Sequence, residues 1–202
     1  MHQNILHHQF TFLREIDRLK SVTRQSPLLD RSRKENSAEH SWHLAMHGLL
    51  LHEYAAAPVN PTRVIQMLLI HDIVEVDVGD TPIHQIASGA SQHDLEAKAA
   101  VRLFGLVPGE QGATLLALWR EFELGQSDDA KFAKALDRVQ PLLANVSTGG
   151  GTWTESSVTL EQVVERYGPT IALGSPALWN ACEQWVREHF ARSEQQSIAG
   201  EA

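Results

Sequence analysis

Leu69-Ile70-His71-Asp72-Ile73-Val74-Glu75-Val76-Asp77-Val78-Gly79-Asp80 decides how this chain reads. The stretch begins as the apolar end of a helix and then crowds a histidine and several carboxylates into the place where a core helix finishes. Burying a charge without a partner costs several kcal/mol, so such a cluster pairs internally or holds a cation. On a helix His71 and Asp72 point about 100° apart, and both still reach one ion lying between their directions. Glu75 is i+4 from His71 and i+3 from Asp72, so it lies on the same face one turn on. Gly79 lets the chain turn sharply and bring Asp80 back to the helix end.

Two further stretches carry the same kinds of side chain. Arg33-Lys34-Glu35-Asn36-Ser37-Ala38-Glu39-His40-Ser41-Trp42-His43 opens a helix, and His40, His43 and His47 share one face of it at i, i+3 and i+7. Downstream, Ala133-Lys134-Ala135-Leu136-Asp137-Arg138-Val139-Gln140-Pro141 places Asp137 mid-helix among apolar neighbours.

The rest of the chain reads as helix after helix. Asn36 with Glu39 forms a variant capping box and opens a helix over 37–57. Asn60-Pro61 puts a cap before a proline at the first helical position and opens a helix to about 76. Further helices are expected over 6–20, 91–104, 110–125, from 128 onward, 160–168 and 176–192, and the start at 128 is set by Ser127 capping, with Asp128-Asp129 in the first turn. Gly168-Pro169 is read as a stop, and 147–154, with Gly149, Gly150 and Gly151, as a loop. No Lys-Ser/Thr follows those glycines, so they make no phosphate loop. Few stretches alternate with period two, so no sheet is expected. The fold class is all-α, as a single domain over 1–202 with its core over 5–192 and a polar, frayed tail over 193–202.

Composition narrows function. The 202 residues carry a net charge of −8 with 43% hydrophobic side chains, an ordinary globular balance. The acidic excess argues against a nucleic-acid partner, and no apolar run approaches the ~20 residues of a membrane span. One cysteine, Cys182, permits no internal disulfide, and the expected location is cytoplasmic. The 11 histidines are too many to assign by type, because position alone separates ligands from surface residues.

His40, the pair His71-Asp72 and Asp137 in a later helix resemble the H…HD…D pattern of the HD-domain superfamily of metal-dependent phosphohydrolases. The strings Glu-Asn-Ser-Ala-Glu-His-Ser-Trp at 35–42 and His-Asp-Ile-Val-Glu-Val-Asp-Val-Gly-Asp-Thr-Pro at 71–82 are similar to the 5′-deoxynucleotidase branch. The resemblance implies a helical bundle in which His40, His71, Asp72 and Asp137 bind one divalent metal ion: Mn, Co, Fe, Zn or Mg. It implies Glu75 as the group that orients or activates the attacking water and Asp80 as the group at the leaving sugar oxygen. It implies a phosphate-binding arginine upstream of the first histidine, with Arg24 the better match and Arg33 second. His43 and His84 are expected beside the pocket. In the deoxynucleotidases a tryptophan follows that arginine, whereas Gln25 stands here, which bears on the sugar pocket. The implied substrate is a small-molecule nucleotide, a (deoxy)nucleoside 5′-monophosphate, and the implied assembly a homodimer. Two other readings share the motif: an HD hydrolase or phosphodiesterase acting on another small phosphate or phosphonate, and a non-catalytic nucleotide-binding protein.

Overall fold

Side-chain caps fix where the helices begin. The computed structural model describes residues 2–81 and 90–200. Helix α1 (His2–Ile16) runs into a 3-10 turn at Asp17–Ser21, and a hairpin of β1 (Thr23–Pro27) and β2 (Lys34–Asn36) leads into α2 (Ser37–Leu51). Then come α3 (Pro61–Ile70), a 3-10 turn at His71–Val74, α4 (Glu75–Val78), α5 (Ala90–Phe104), α6 (Glu110–Leu124), α7 (Asp128–Ser147), α8 (Gly151–Glu155), α9 (Leu160–Gly174) and α10 (Pro176–Gly200). Asn36 accepts from the Glu39 N–H at 3.0 Å while the Glu39 carboxylate accepts from the Asn36 N–H at 3.1 Å. Thr159 and Gln162 make the same reciprocal pair at α9, Asn60 accepts from two N–H groups of α3, and Ser127 accepts from Ala130 at α7. Each satisfies backbone donors that the first helical turn leaves open.

Five local expectations are corrected. The chain is helical but has one antiparallel hairpin, in which Thr23 pairs with Asn36 and Pro27 with Lys34. Its inward face carries Arg24 and Ser26 while Thr23 and Gln25 are exposed, so a polar interior hides the period-two signal that hydrophobicity would show. The α3 helix ends at Ile70, six residues before the expected limit. There the Trp119 indole N–H donates to the His71 carbonyl at 3.1 Å, engaging an acceptor that a continuing α-helix would use. The α9 helix runs through Pro169 to Gly174. The loop expected over 147–154 contains the short helix α8, and α10 continues past 192 to Gly200, with no proline and no earlier glycine in that stretch to break it.

Helix α7 is the central wall. It packs against α2, α3, α6, α9 and α10, and its buried Ala130, Ala133, Ala135 and Ala144 keep those neighbours close. Two apolar clusters meet along it. One gathers Leu44, Leu68, Phe104, Trp119, Phe122 and Phe132, and the other Leu142, Trp153, Tyr167, Ile171 and Val186. A cavity of about 500 Å³ is bordered by Val74 and Phe122 of the first cluster and by Val158 and Tyr167 of the second. Pro141 of α7 lines it, and by lacking an N–H leaves the Asp137 carbonyl without its usual helical donor. No helix among the described residues is long and apolar enough to cross a membrane.

Candidate metal centre and substrate pocket

One wall of the cavity is built from three separate stretches: Arg24 on β1, His71 and Asp72 just past the end of α3 with Glu75 and Asp80 beyond, and Asp137 on α7. His40 stands behind that wall, fully buried in the first turns of α2. His40 Nε2 is 3.0 Å from Asp137 Oδ1 and 3.9 Å from Asp72 Oδ2. His71 Nε2 is 3.0 Å from Asp72 Oδ1 and 3.6 Å from Asp137 Oδ1. Two imidazole nitrogens and two carboxylates therefore converge on one point, and His40, His71 and Asp72 each offer an atom within 4.8 Å of the others.

Both imidazoles present the right nitrogen. His71 Nδ1 lies 2.9 Å from the Leu68 carbonyl and donates to it, which leaves the Nε2 lone pair facing the carboxylates. That Nε2 is buried and makes no hydrogen bond of its own. An orphaned imidazole nitrogen among carboxylates is what a cation site requires, so the residues fit a divalent metal. Burial, with Arg24 adding to it, pushes His40 down to about 4 and keeps it neutral. Burial also opposes the charge on His71, but Asp72 and Asp137 outweigh it and raise His71 above its ordinary value. Burial works against ionised Asp137 as well; Arg138, His40 and His71 outweigh it and hold that carboxyl well below the usual range.

The Arg24 side chain is only 13% exposed and faces acids on every side. Its Nη1 lies 3.1 Å from Asp72, 3.4 Å from Asp80 and 3.9 Å from Glu75, and its Nε 3.4 Å from Glu35. Burial opposes the guanidinium charge, yet the facing carboxylates raise its pKa further. Burial pushes the Glu75 and Asp80 carboxyls upward, and the nearby Asp72 charge adds to both. Ser37, itself fully buried, donates to Glu75 Oε2, which leaves Oε1 as the oxygen that faces Arg24.

The remaining expected residues scatter. Arg33 does not join the pocket: it is half exposed and forks onto Glu39 with two hydrogen bonds. His43 packs edge-on against His47, their rings 4.6 Å apart, and lines a smaller recess behind Gln140 instead of the main cavity. His84 lies outside the described residues. Gln25 does line the cavity, its side-chain carbonyl accepting from Lys34 at 2.7 Å.

Sequence reading missed Glu35, Ser37 and Gln140 as buried polar groups beside the ligands, and Lys134, Arg138 and Arg166 as cations on the cavity wall. The i+3 spacing of Gln140 from Asp137 was the one available signal. His93, Glu96 and Glu123 form a second group with donor atoms within 4.8 Å of each other. Lys134 already lies 4.0 Å from Glu123, over the Phe122 ring.

Residues 16–179 match a family described as HD domain. A crystal structure from Magnetospirillum magnetotacticum MS-1, described as a predicted metal-dependent phosphohydrolase, is 49% identical, with a TM-score of 0.86 over 93% of this chain and 96% of that one. The 5′-deoxynucleotidase of Erwinia tasmaniensis is 31% identical over 76% of this chain and 82% of its own length. The bovine 5′-deoxynucleotidase HDDC2 is 30% identical over 65% of this chain. The chain spans only 63% of that bovine relative's length.

Proposed function

This chain belongs to the HD domain family, and from that premise we infer that it is a metal-dependent phosphomonoesterase, releasing nucleoside and inorganic phosphate from (deoxy)nucleoside 5′-monophosphates. The observation that carries this reading is the meeting of two imidazole nitrogens and two carboxylates with a buried arginine on one wall of a cavity of about 500 Å³. That volume suits a mononucleotide.

In this reading His40, His71, Asp72 and Asp137 hold the ion. A bound divalent cation supplies a water of lowered pKa and steadies charge on phosphoryl oxygens. Arg24, always charged, takes a phosphate oxygen pair in its planar fork, exchanging carboxylate partners for phosphate. Glu75, held at one oxygen by Ser37, takes the proton of the attacking water at its other oxygen. Asp80, whose carboxyl burial raises above its ordinary value, gives a proton to the departing 5′ oxygen, which avoids expelling a bare alkoxide. Val158, Gln162 and Tyr167 line the cavity beyond the acids and give the nucleoside its surroundings. A cytoplasmic location and a homodimer belong to the same proposal.

The test is phosphate release from a panel of deoxynucleoside and ribonucleoside 5′-monophosphates and a cyclic dinucleotide, each with Mn²⁺ or Co²⁺ added. Release from the monophosphates, and none from the cyclic dinucleotide, is expected. Silence on every monophosphate with either metal would sink the assignment.

A further inference from the structure

We propose that Gln140, anchored by Glu35, is a positioning residue that holds His40 in the one tautomer able to bind a cation. The proposal rests on the metal reading above and adds the two residues that prepare the ligand for it.

Glu35 and Gln140 are each 4% exposed and come from elements far apart in the sequence, β2 and α7. Gln140 Nε2 donates to Glu35 Oε2 at 3.0 Å, and Gln140 Oε1 lies 3.1 Å from His40 Nδ1. The two ends of a carboxamide are not equivalent. Glu35 Oε2 is the atom that meets the carboxamide, its other oxygen facing Arg24 Nε at 3.4 Å and His40 Nδ1 at 3.6 Å. The amide nitrogen faces Glu35, and its second N–H points toward His43 Nδ1 at 3.5 Å. The amide oxygen is then left for His40 and accepts a proton only if His40 carries it on Nδ1. The lone pair is thereby forced onto His40 Nε2, the atom 3.0 Å from Asp137. His71 reaches the same state through a backbone carbonyl, so α2 needs a side chain to do what the local backbone does at α3. A glutamine serving only as filler would have no need of a buried carboxylate to orient it.

The experiment compares the full-length chain with Gln140→Leu and Gln140→Glu. Leucine keeps the volume and removes both the donor and the acceptor, whereas glutamate, sharing one proton with Glu35, restores a donor to Glu35 and an acceptor for the Nδ1 proton. Long-range ¹H–¹⁵N spectra of the metal-free proteins report the His40 tautomer, and Co²⁺ absorption titrations report affinity. The wild type is expected to show the Nδ1–H form. Gln140→Leu is expected to lose that single form and to bind Co²⁺ about 10–100-fold more weakly. Gln140→Glu is expected to return to within about threefold of wild type, circular dichroism being unchanged throughout. Wild-type Co²⁺ affinity in Gln140→Leu, or a glutamate variant no better than leucine, overturns the positioning role alone. A wild-type chain that binds no Co²⁺ overturns the metal reading and this role together.

Discussion

At the residue scale, the segment from Glu35 to His40 divides the labour of the site among neighbours. Glu35 faces Arg24 and Gln140, Asn36 caps α2, Ser37 donates to Glu75, Glu39 closes the capping box, and His40 faces Asp137. Glu75 touches none of the imidazoles, so its removal separates chemistry from binding. Glu75→Ala is expected to lower kcat by about 10²–10⁴ while metal content, read by plasma mass spectrometry, stays at the wild-type level. Normal turnover in that variant would remove Glu75 from the reaction. The acids and histidines of the site stood out in the sequence because charged residues there interrupt apolar periodicity. Glu35 and Gln140 did not, because their hydrogen bond spans 105 residues and neither breaks a local pattern.

At the element scale, helix starts were legible and some stops were not. A cap is a local signal, since a side chain and a backbone N–H three residues on form it. Where a helix ends depends on what packs against it. Pro169 costs its helix about 3 kcal/mol in isolation, yet α9 continues because Val163, Tyr167 and Ile171 bury against the neighbouring cluster. Gly168 is required there: a Cβ would stand 2.8 Å from the Trp179 ring. Gly168→Ala gains helix propensity but is expected to destabilise the fold by about 1–3 kcal/mol through overpacking against that ring. Urea unfolding measures it, and a stabilised variant would show that the tryptophan can move aside. The hairpin escaped the sequence for a related reason, since its inward residues serve the site and not the core.

At the scale of the molecule, the acids on the cavity wall repel one another, and a bound divalent ion relieves that repulsion. An ion that binds only the folded chain stabilises it by about 2.7 kcal/mol at a hundred times its Kd. For a protein of this size chelation by EDTA is then expected to lower Tm by about 5–11 °C, reversed by excess Mn²⁺ or Co²⁺. A melting curve indifferent to chelator would argue against a resident ion. The outward side of α2 carries Trp42, Met46, Leu49 and Leu50, all exposed, and residues 40–52 include no Lys, Arg, Asp or Glu. In the homodimer proposed above this face lies against its symmetry mate. Light scattering is expected to give twice the chain mass, and Trp42→Glu the monomer; a monomeric wild type would overturn the dimer.

The central place of α7 also has a consequence during synthesis. Asp137 is made 65 residues after Asp72, about 3–13 s later at ordinary elongation rates. For that interval the nascent chain holds its arginine, both histidines and three carboxylates with no wall to close them. Helix α7 thus turns an open collection of ionisable groups into a cage, and no amino-terminal fragment that stops short of α7 can contain one.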